Sequence, residues 1–228
     1  MKIAVLGTGM VGRAFAARLA GLGHAVVVGT RNVAATQRTT EPDGKGIPPF
    51  VKWQKSYPEI RLVSFPDAGA HGEVAINATA GLQSLNALAA VGASTLAGKV
   101  IIDLAVPLDY SEGRPPKLAF ANTDSLGEQI QRAHPDAHVV KTLNTMHFEV
   151  MLDPTRVPGP HAVFVAGDST VAKATVRRLL SQFGWSDEVI LDLGGIKAAR
   201  ATEMFVPLLF TLMGTIGTSD VNIAVVHT

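Results

Sequence analysis

Near its start the chain runs from a short apolar stretch, Ile3 to Leu6, into Gly7-Thr8-Gly9-Met10-Val11-Gly12, and a helical pattern opens at once behind it. No other feature constrains the fold as tightly. An apolar run too short for a helix and closed by glycine reads as a strand buried on both faces. Val11, Phe15 and Leu19 then recur at helical spacing, and Gly21 and Gly23 stop the helix. A second apolar run follows at 25–28. Strand, glycine turn, helix and strand in so short a span make one βαβ unit.

The rest of the chain continues the alternation. Strands are expected at 60–65, 74–79, 100–105, 138–143, 162–166 and 189–193. Helices are expected at 50–57, 84–91, 169–183 and 198–213, and one capped by Thr123 or Asp124 runs to about His134. Residues 32–49, with three prolines, and 107–121, with Pro115-Pro116, read as surface loops; 67–71 reads as a short connection and 157–160 as a turn. Such an order predicts an α/β fold, a Rossmann-type doubly wound parallel sheet with a small C-terminal α/β lobe. We divide the chain at 1–147, the nucleotide-binding domain, and 148–228, a small lobe for the substrate cleft and dimer contacts.

Each residue of the glycine motif has a physical task. Gly7 makes the tight turn, Gly9 lets the backbone approach a pyrophosphate, and Gly12 lets helix and strand pack closely. Thr8, Met10 and Val11 complete the loop, whose free helix amides and positive dipole end suit phosphate. The end of the second strand selects the dinucleotide. An NAD site carries Asp or Glu there; this chain has Gly29-Thr30-Arg31-Asn32. Arg31 offers a forked guanidinium to a 2′-phosphate, Thr30 a hydroxyl, and Arg38 stands close by. NADP(H) is therefore expected rather than NAD(H). Ala78, Thr79 and Ala80 after the fourth strand, and Ala105 and Pro107 after the fifth, are small residues at the carboxyl edge where open α/β sheets bind ligands.

Composition excludes other chemistries. The chain has 228 residues and no cysteine, so thiol catalysis and cysteine-held metals are out. A formal charge of +1 gives no reason to expect a nucleic-acid partner. Histidines 24, 71, 134, 138, 161 and 227 show no metal-ligand spacing, and no metal is expected. The most apolar stretch, 204–216, is interrupted by Pro207 and Gly214 and falls short of the roughly 20 residues that cross a bilayer. No leader pattern is visible, and a cytoplasmic protein without a membrane partner is expected. Too little chain follows residue 147 for a large substrate domain, so we expect a small capping lobe.

Together, GTGMVG, VVVGTRN, VVKTLNTM (residues 139–146) and VFVAGDS (163–169) make the chain resemble the F420-dependent NADP reductase family, as does the frame of Arg200, Glu203, Pro207 and Leu208. The first two thirds are also similar to the reductase domains of membrane metalloreductases. The family resemblance implies a homodimer and a cleft where the deazaflavin ring of F420 stacks on the nicotinamide of NADP. It implies direct hydride transfer between the rings, with Asn144 at the junction where the archaeal reductases carry histidine.

Read by themselves, the residues leave the acceptor open. Asn144 can hydrogen-bond a carboxamide or a ring carbonyl. Met146, Met204, Met151 and Phe205 are of a kind to line a pocket for a flat small-molecule redox partner, or equally to pack a core. His147 follows the sixth strand and is a possible proton donor for a carbonyl, imine or quinone, with an idle loop histidine as the plainer reading. Arg200 and Glu203 share a helix at a spacing that lets them pair. A flavin or ferric chelate as acceptor, and an NADP(H)-sensing module without turnover, complete the alternatives.

Overall fold

Alternation along the first strand sets the layers. In β1 (Lys2–Leu6), Ile3 and Val5 belong to one apolar cluster and Ala4 and Leu6 to another, and all four are fully buried. A strand buried on both faces needs helices on both faces. The computed structural model describes residues 1–44 and 46–226, so His227 lies outside the described residues.

The chain proceeds through α1 (Met10–Gly21), β2 (Ala25–Thr30), α2 (Val33–Arg38), α3 (Phe50–Gln54), β3 (Arg61–Ser64), α4 (Phe65–His71) and β4 (Val74–Asn77). It continues with α5 (Ser84–Val91), α6 (Ala93–Leu96), β5 (Val100–Asp103), a two-residue hairpin of β6 (Leu108–Asp109) and β7 (Lys117–Leu118), α7 (Leu126–Ala133) and β8 (His138–Thr142). The remainder is α8 (Phe148–Leu152), β9 (Val163–Ala166), α9 (Thr170–Phe183), β10 (Ile190–Asp192), α10 (Ala199–Met204) and α11 (Val206–Ile216).

One eight-stranded sheet has the order β10-β9-β8-β5-β4-β1-β2-β3. Helices α1, α8 and α9 cover one face through Phe15, Val150, Val176 and Leu180; α4, α5, α7 and α10 cover the other through Ala68, Leu88, Ile130 and Ala199. Strands β9 and β10 extend this same sheet. They pair parallel to each other, but β9 runs antiparallel to β8, unlike the fully parallel sheet expected. Between β8 and β9 the chain forms only the five-residue α8 and one short 3₁₀ turn, with no long crossover helix to bring β9 back parallel to β8.

Four local expectations differ from what forms. Residues 33–38 are helical because the Asn32 side chain accepts from the Ala35 amide, at 2.9 Å. Residues 65–71 are helix rather than connection, capped by Ser64 with proline in the first turn. Ser125 caps α7, ahead of Thr123 and Asp124. The last long helix divides at Phe205, because Pro207 lacks an amide hydrogen and its ring would meet the Glu203 carbonyl.

Candidate functional site

The strand order reverses direction between β1 and β4, and the register aligns Leu6 with Asn77, Asn77 with Asp103 and Asp103 with Lys141. The segments leaving these strands, Gly7, Ala78-Thr79-Ala80, Leu104–Pro107 and Leu143–His147, therefore share one edge. It is the carboxyl edge at a topological switch point.

Two motif glycines are forced by packing and one is not. A Cβ on Gly7, where φ is +121°, would sit 2.6 Å from the Ala78 carbonyl oxygen, and one on Gly12 would sit 2.1 Å from the Gly7 oxygen. Both close approaches leave no room for a side chain. A Cβ on Gly9 would meet nothing within 4 Å. Gly9 precedes α1 in an ordinary extended conformation, and no side chain caps the helix. The Gly9 carbonyl takes the Arg13 amide at 3.0 Å, and the earlier amides of the turn stay free among the described residues. Open space in front of uncapped amides is what a pyrophosphate requires. Thr8 lies in this loop, with Met10 exposed and Val11 half-buried at the helix start.

At the end of β2, Thr30 is buried and its hydroxyl is 3.0 Å from that of Thr36, so it supports α2 rather than standing free. Asn32 is the cap of α2. Arg31 is exposed and makes no hydrogen bond or ion pair among the described residues. Arg38 is exposed in the last turn of α2. Arg31 follows β2 directly and Arg38 closes α2, and neither has an ion pair among the described residues.

The other end is built on a buried polar chain that residue types alone did not single out. The Asn77 amide donates to Asp103 Oδ1 at 2.8 Å, and the Thr79 hydroxyl donates to Asn77 Oδ1 at 2.7 Å. Lys141 Nζ lies 2.9 Å from Asp103 Oδ2 and 2.9 Å from Glu203 Oε1, and it also donates to the Ala105 carbonyl. Its three N–H bonds are all used, with the side chain fully buried. Glu203 in turn accepts from the Leu126 and Gly127 amides at 2.9 and 3.1 Å, closing the N-terminus of α7. Burial pulls the Lys141 ammonium down, but the adjacent Asp103 and Glu203 carboxylates outweigh it, and its pKa is raised. Arg200 pairs with Glu128, at 2.7 Å from each carboxylate oxygen, and not with Glu203 as their spacing suggested. The chain ties the loops bearing Ala78, Thr79, Ala80, Ala105 and Pro107 to α10.

Asn144 is buried and donates Nδ2 to the Thr202 carbonyl at 2.9 Å, and its Oδ1 has no partner among the described residues. Thr145 Oγ1 is likewise buried and unpartnered among them. His147 precedes α8 half-buried, its ring against Phe148 and Nδ1 3.6 Å from Glu149 Oε2, beyond hydrogen-bond reach. Burial lowers its pKa, with Glu149 and Asp220 opposing and Arg156 assisting, so the imidazole is neutral at neutral pH. Met146 packs in the core at 2% exposure, whereas Met204 stands out from α10 at 42%. Met151 is also core. Among the described residues no cluster of His, Asp and Glu has metal-binding geometry, and no helix is long and apolar enough to cross a membrane.

A glycine cradle at a switch point, with free arginines where an NAD site needs a carboxylate, defines a Rossmann protein built for a phosphorylated dinucleotide. Known proteins agree. The family of coenzyme F420-dependent NADP oxidoreductases matches residues 2–107. The F420-dependent NADP reductase of Methanothermobacter marburgensis is 30% identical over 221 residues, which is 93% of this chain and 92% of that one. A crystal structure from Arthrobacter sp. FB24, provisionally named an F420-dependent NADP-reductase, is 49% identical with a TM-score of 0.94, covering 100% of both chains. The metalloreductase STEAP3 of Rattus norvegicus is 27% identical over 202 residues, 89% of this chain but 36% of its own length, so the chain spans about a third of that relative. The chain belongs to the F420-dependent NADP oxidoreductase family, and the protein is an NADP-dependent oxidoreductase.

Proposed function

We propose that the protein passes hydride directly between NADP(H) and the deazaflavin ring of coenzyme F420. The observation that carries this reading is end-to-end similarity to a reductase named for that reaction, across 92% of its length. In the reducing direction NADPH gives up a hydride from its nicotinamide, and the deazaflavin takes that hydride and one proton. Cofactor chemistry of this kind asks the protein for positioning more than for acid–base groups.

The residues divide by place. Gly7, Thr8, Gly9, Met10, Val11 and Gly12 hold the pyrophosphate on the α1 amides. Arg31 binds the 2′-phosphate, with Arg38 adding charge and Thr30 and Asn32 shaping the turn. Ala78, Thr79, Ala80, Ala105 and Pro107 border the nicotinamide half. Asn144, His147 and Met204 face the redox partner, and Met146 supports them from the core. A homodimer completes the cleft in this reading. In its support, α10 and α11 leave the large apolar side chains of Met204, Leu208 and Ile216 exposed at 42%, 52% and 59%, which water does not favour.

Mixing purified protein with NADPH and F420 tests the proposal. Nicotinamide absorbance and the deazaflavin colour should fall together, in equal amounts. A folded, NADP-binding protein that changes neither signal removes F420 as its partner.

A further inference from the structure

A groove of about 640 Å³ lies against the outer face of α1, lined by Met10, Arg13, Pro48, Lys52, Trp53 and Phe148 among others. Phe148 follows His147 directly, so one end of the groove opens at the carboxyl edge beside the Asn144 loop. The other end lies on α3, which carries Lys52 and Trp53.

Among the described residues lining the groove none is acidic, and Arg13 and Lys52 are cationic. Arg13 is fixed in place. Its Nε donates to the Thr8 carbonyl at 2.7 Å, its Nη1 to the Pro48 carbonyl at 2.6 Å, and the guanidinium lies 5.5 Å from the centre of the Phe50 ring. Both fixing bonds go to neutral carbonyls, and Nη2 makes no hydrogen bond among the described residues. Asp43 acts on this charge through space. Lys52 is exposed, with no ion pair among the described residues. Apolar and aromatic walls with two cations suit an extended anionic chain that continues from a flat ring.

We infer that this groove holds the anionic tail of the redox partner, the chain of phosphodiester and carboxylates that sets F420 apart from its bare deazaflavin chromophore. The inference rests on the F420 reading above. The ring would enter at the Phe148 end, with the tail running along α1 past Arg13 to Lys52. The two cations thereby select a tailed deazaflavin over neutral ring compounds of the same redox chemistry.

Steady-state kinetics with F420 and with the tail-less chromophore tests this, in wild type, Lys52→Glu and Arg13→Gln. Losing one charge-assisted contact changes affinity about tenfold. In each variant the ratio of KM for F420 to KM for the chromophore should rise by that factor, with kcat moving little. Lys52 is on the surface, so its variant keeps the test valid should Arg13→Gln fail to fold. A KM ratio that stays at the wild-type value in Lys52→Glu overturns the assignment of the groove. Wild-type protein inert toward F420 refutes the parent reading, and this one with it.

Discussion

The two glycines that flank the start of α1 should fail in opposite ways when changed to alanine. Gly9 has φ −73° and ψ −177°, an extended conformation that alanine adopts freely, and its new methyl would touch nothing. Folding stability of Gly9→Ala should hold, or rise by about 0.4–1 kcal/mol because the unfolded chain loses freedom. The methyl occupies the space in front of the α1 amides, so NADPH must retreat from one or more charge-assisted bonds worth about 1.5–3 kcal/mol each. Affinity should fall roughly ten- to a hundredfold. Gly12→Ala meets the opposite constraint. Its methyl would sit 2.1 Å from the Gly7 carbonyl oxygen, an atom of the backbone that cannot swing aside. Helix α1 must shift off β1, at a cost of about 1–3 kcal/mol typical of overpacking. Denaturation midpoints and calorimetric NADPH titrations separate the two cases. A folded Gly9→Ala protein that binds NADPH as tightly as wild type would refute the pyrophosphate cradle.

Arg31→Ala should weaken NADPH about tenfold and leave NADH nearly unchanged, the low end for a charged bond because Arg31 is exposed; equal losses in calorimetry would deny it the 2′-phosphate. Lys141→Met leaves Asp103 and Glu203 buried without their cation, so stability should drop by about 3–5 kcal/mol, read as a lower denaturant midpoint; a loss below about 1 kcal/mol would mean the carboxylates find other partners. Since the Lys141 pKa is raised above 10.5, the stabilisation is fully present below that pH and is lost only as pH climbs through the higher folded value. His147→Gln should lower kcat with F420 by less than tenfold, because a neutral, half-buried imidazole is not needed for ring-to-ring hydride transfer; a hundredfold loss, the scale of general acid catalysis, would make it the proton donor to the deazaflavin.

What could be read in advance follows from how local its cause is. The β1–α1–β2 unit was legible because every determinant lies within adjacent residues: glycine at the turn, apolar spacing along α1, and no carboxylate after β2. Helices α2 and α4 were missed because one side chain decides each. Asn32 and Ser64 turn polar, loop-like residues into first turns, and composition averages over such single caps. The antiparallel direction of β9 goes with the lack of a long crossover helix after β8, and α8, with five residues, has too little periodicity to register. Met146 shows the limit at the site itself. A methionine beside a ligand loop reads the same whether it faces the cleft or the core, and only the placement of α8 beneath it decides for the core.

The buried chain from Thr79 to Glu203 was invisible for a different reason, and that reason bears on how the site works. Asp103, Lys141 and Glu203 stand on β5, β8 and α10, far apart in sequence, and each taken alone is an ordinary charged residue. Their meeting depends on the sheet order that puts β5 beside β8 and on the seating of α10 against the start of α7. Apolar residues of equal volume would pack there at no cost, and often at a gain. What they would not supply is direction. Lys141 accepts no substitute geometry for its three bonds, because each goes to a fixed acceptor on a different element: the β5 carboxylate, the Ala105 carbonyl and the Glu203 carboxylate. The loop after β5 and the helix bearing Met204 are thereby held in one register. In the proposed reaction two rings exchange a hydride and tolerate little error in separation. On that proposal the buried Asp103, Lys141 and Glu203 serve the reaction through the placement of the loops they hold, without touching either ring.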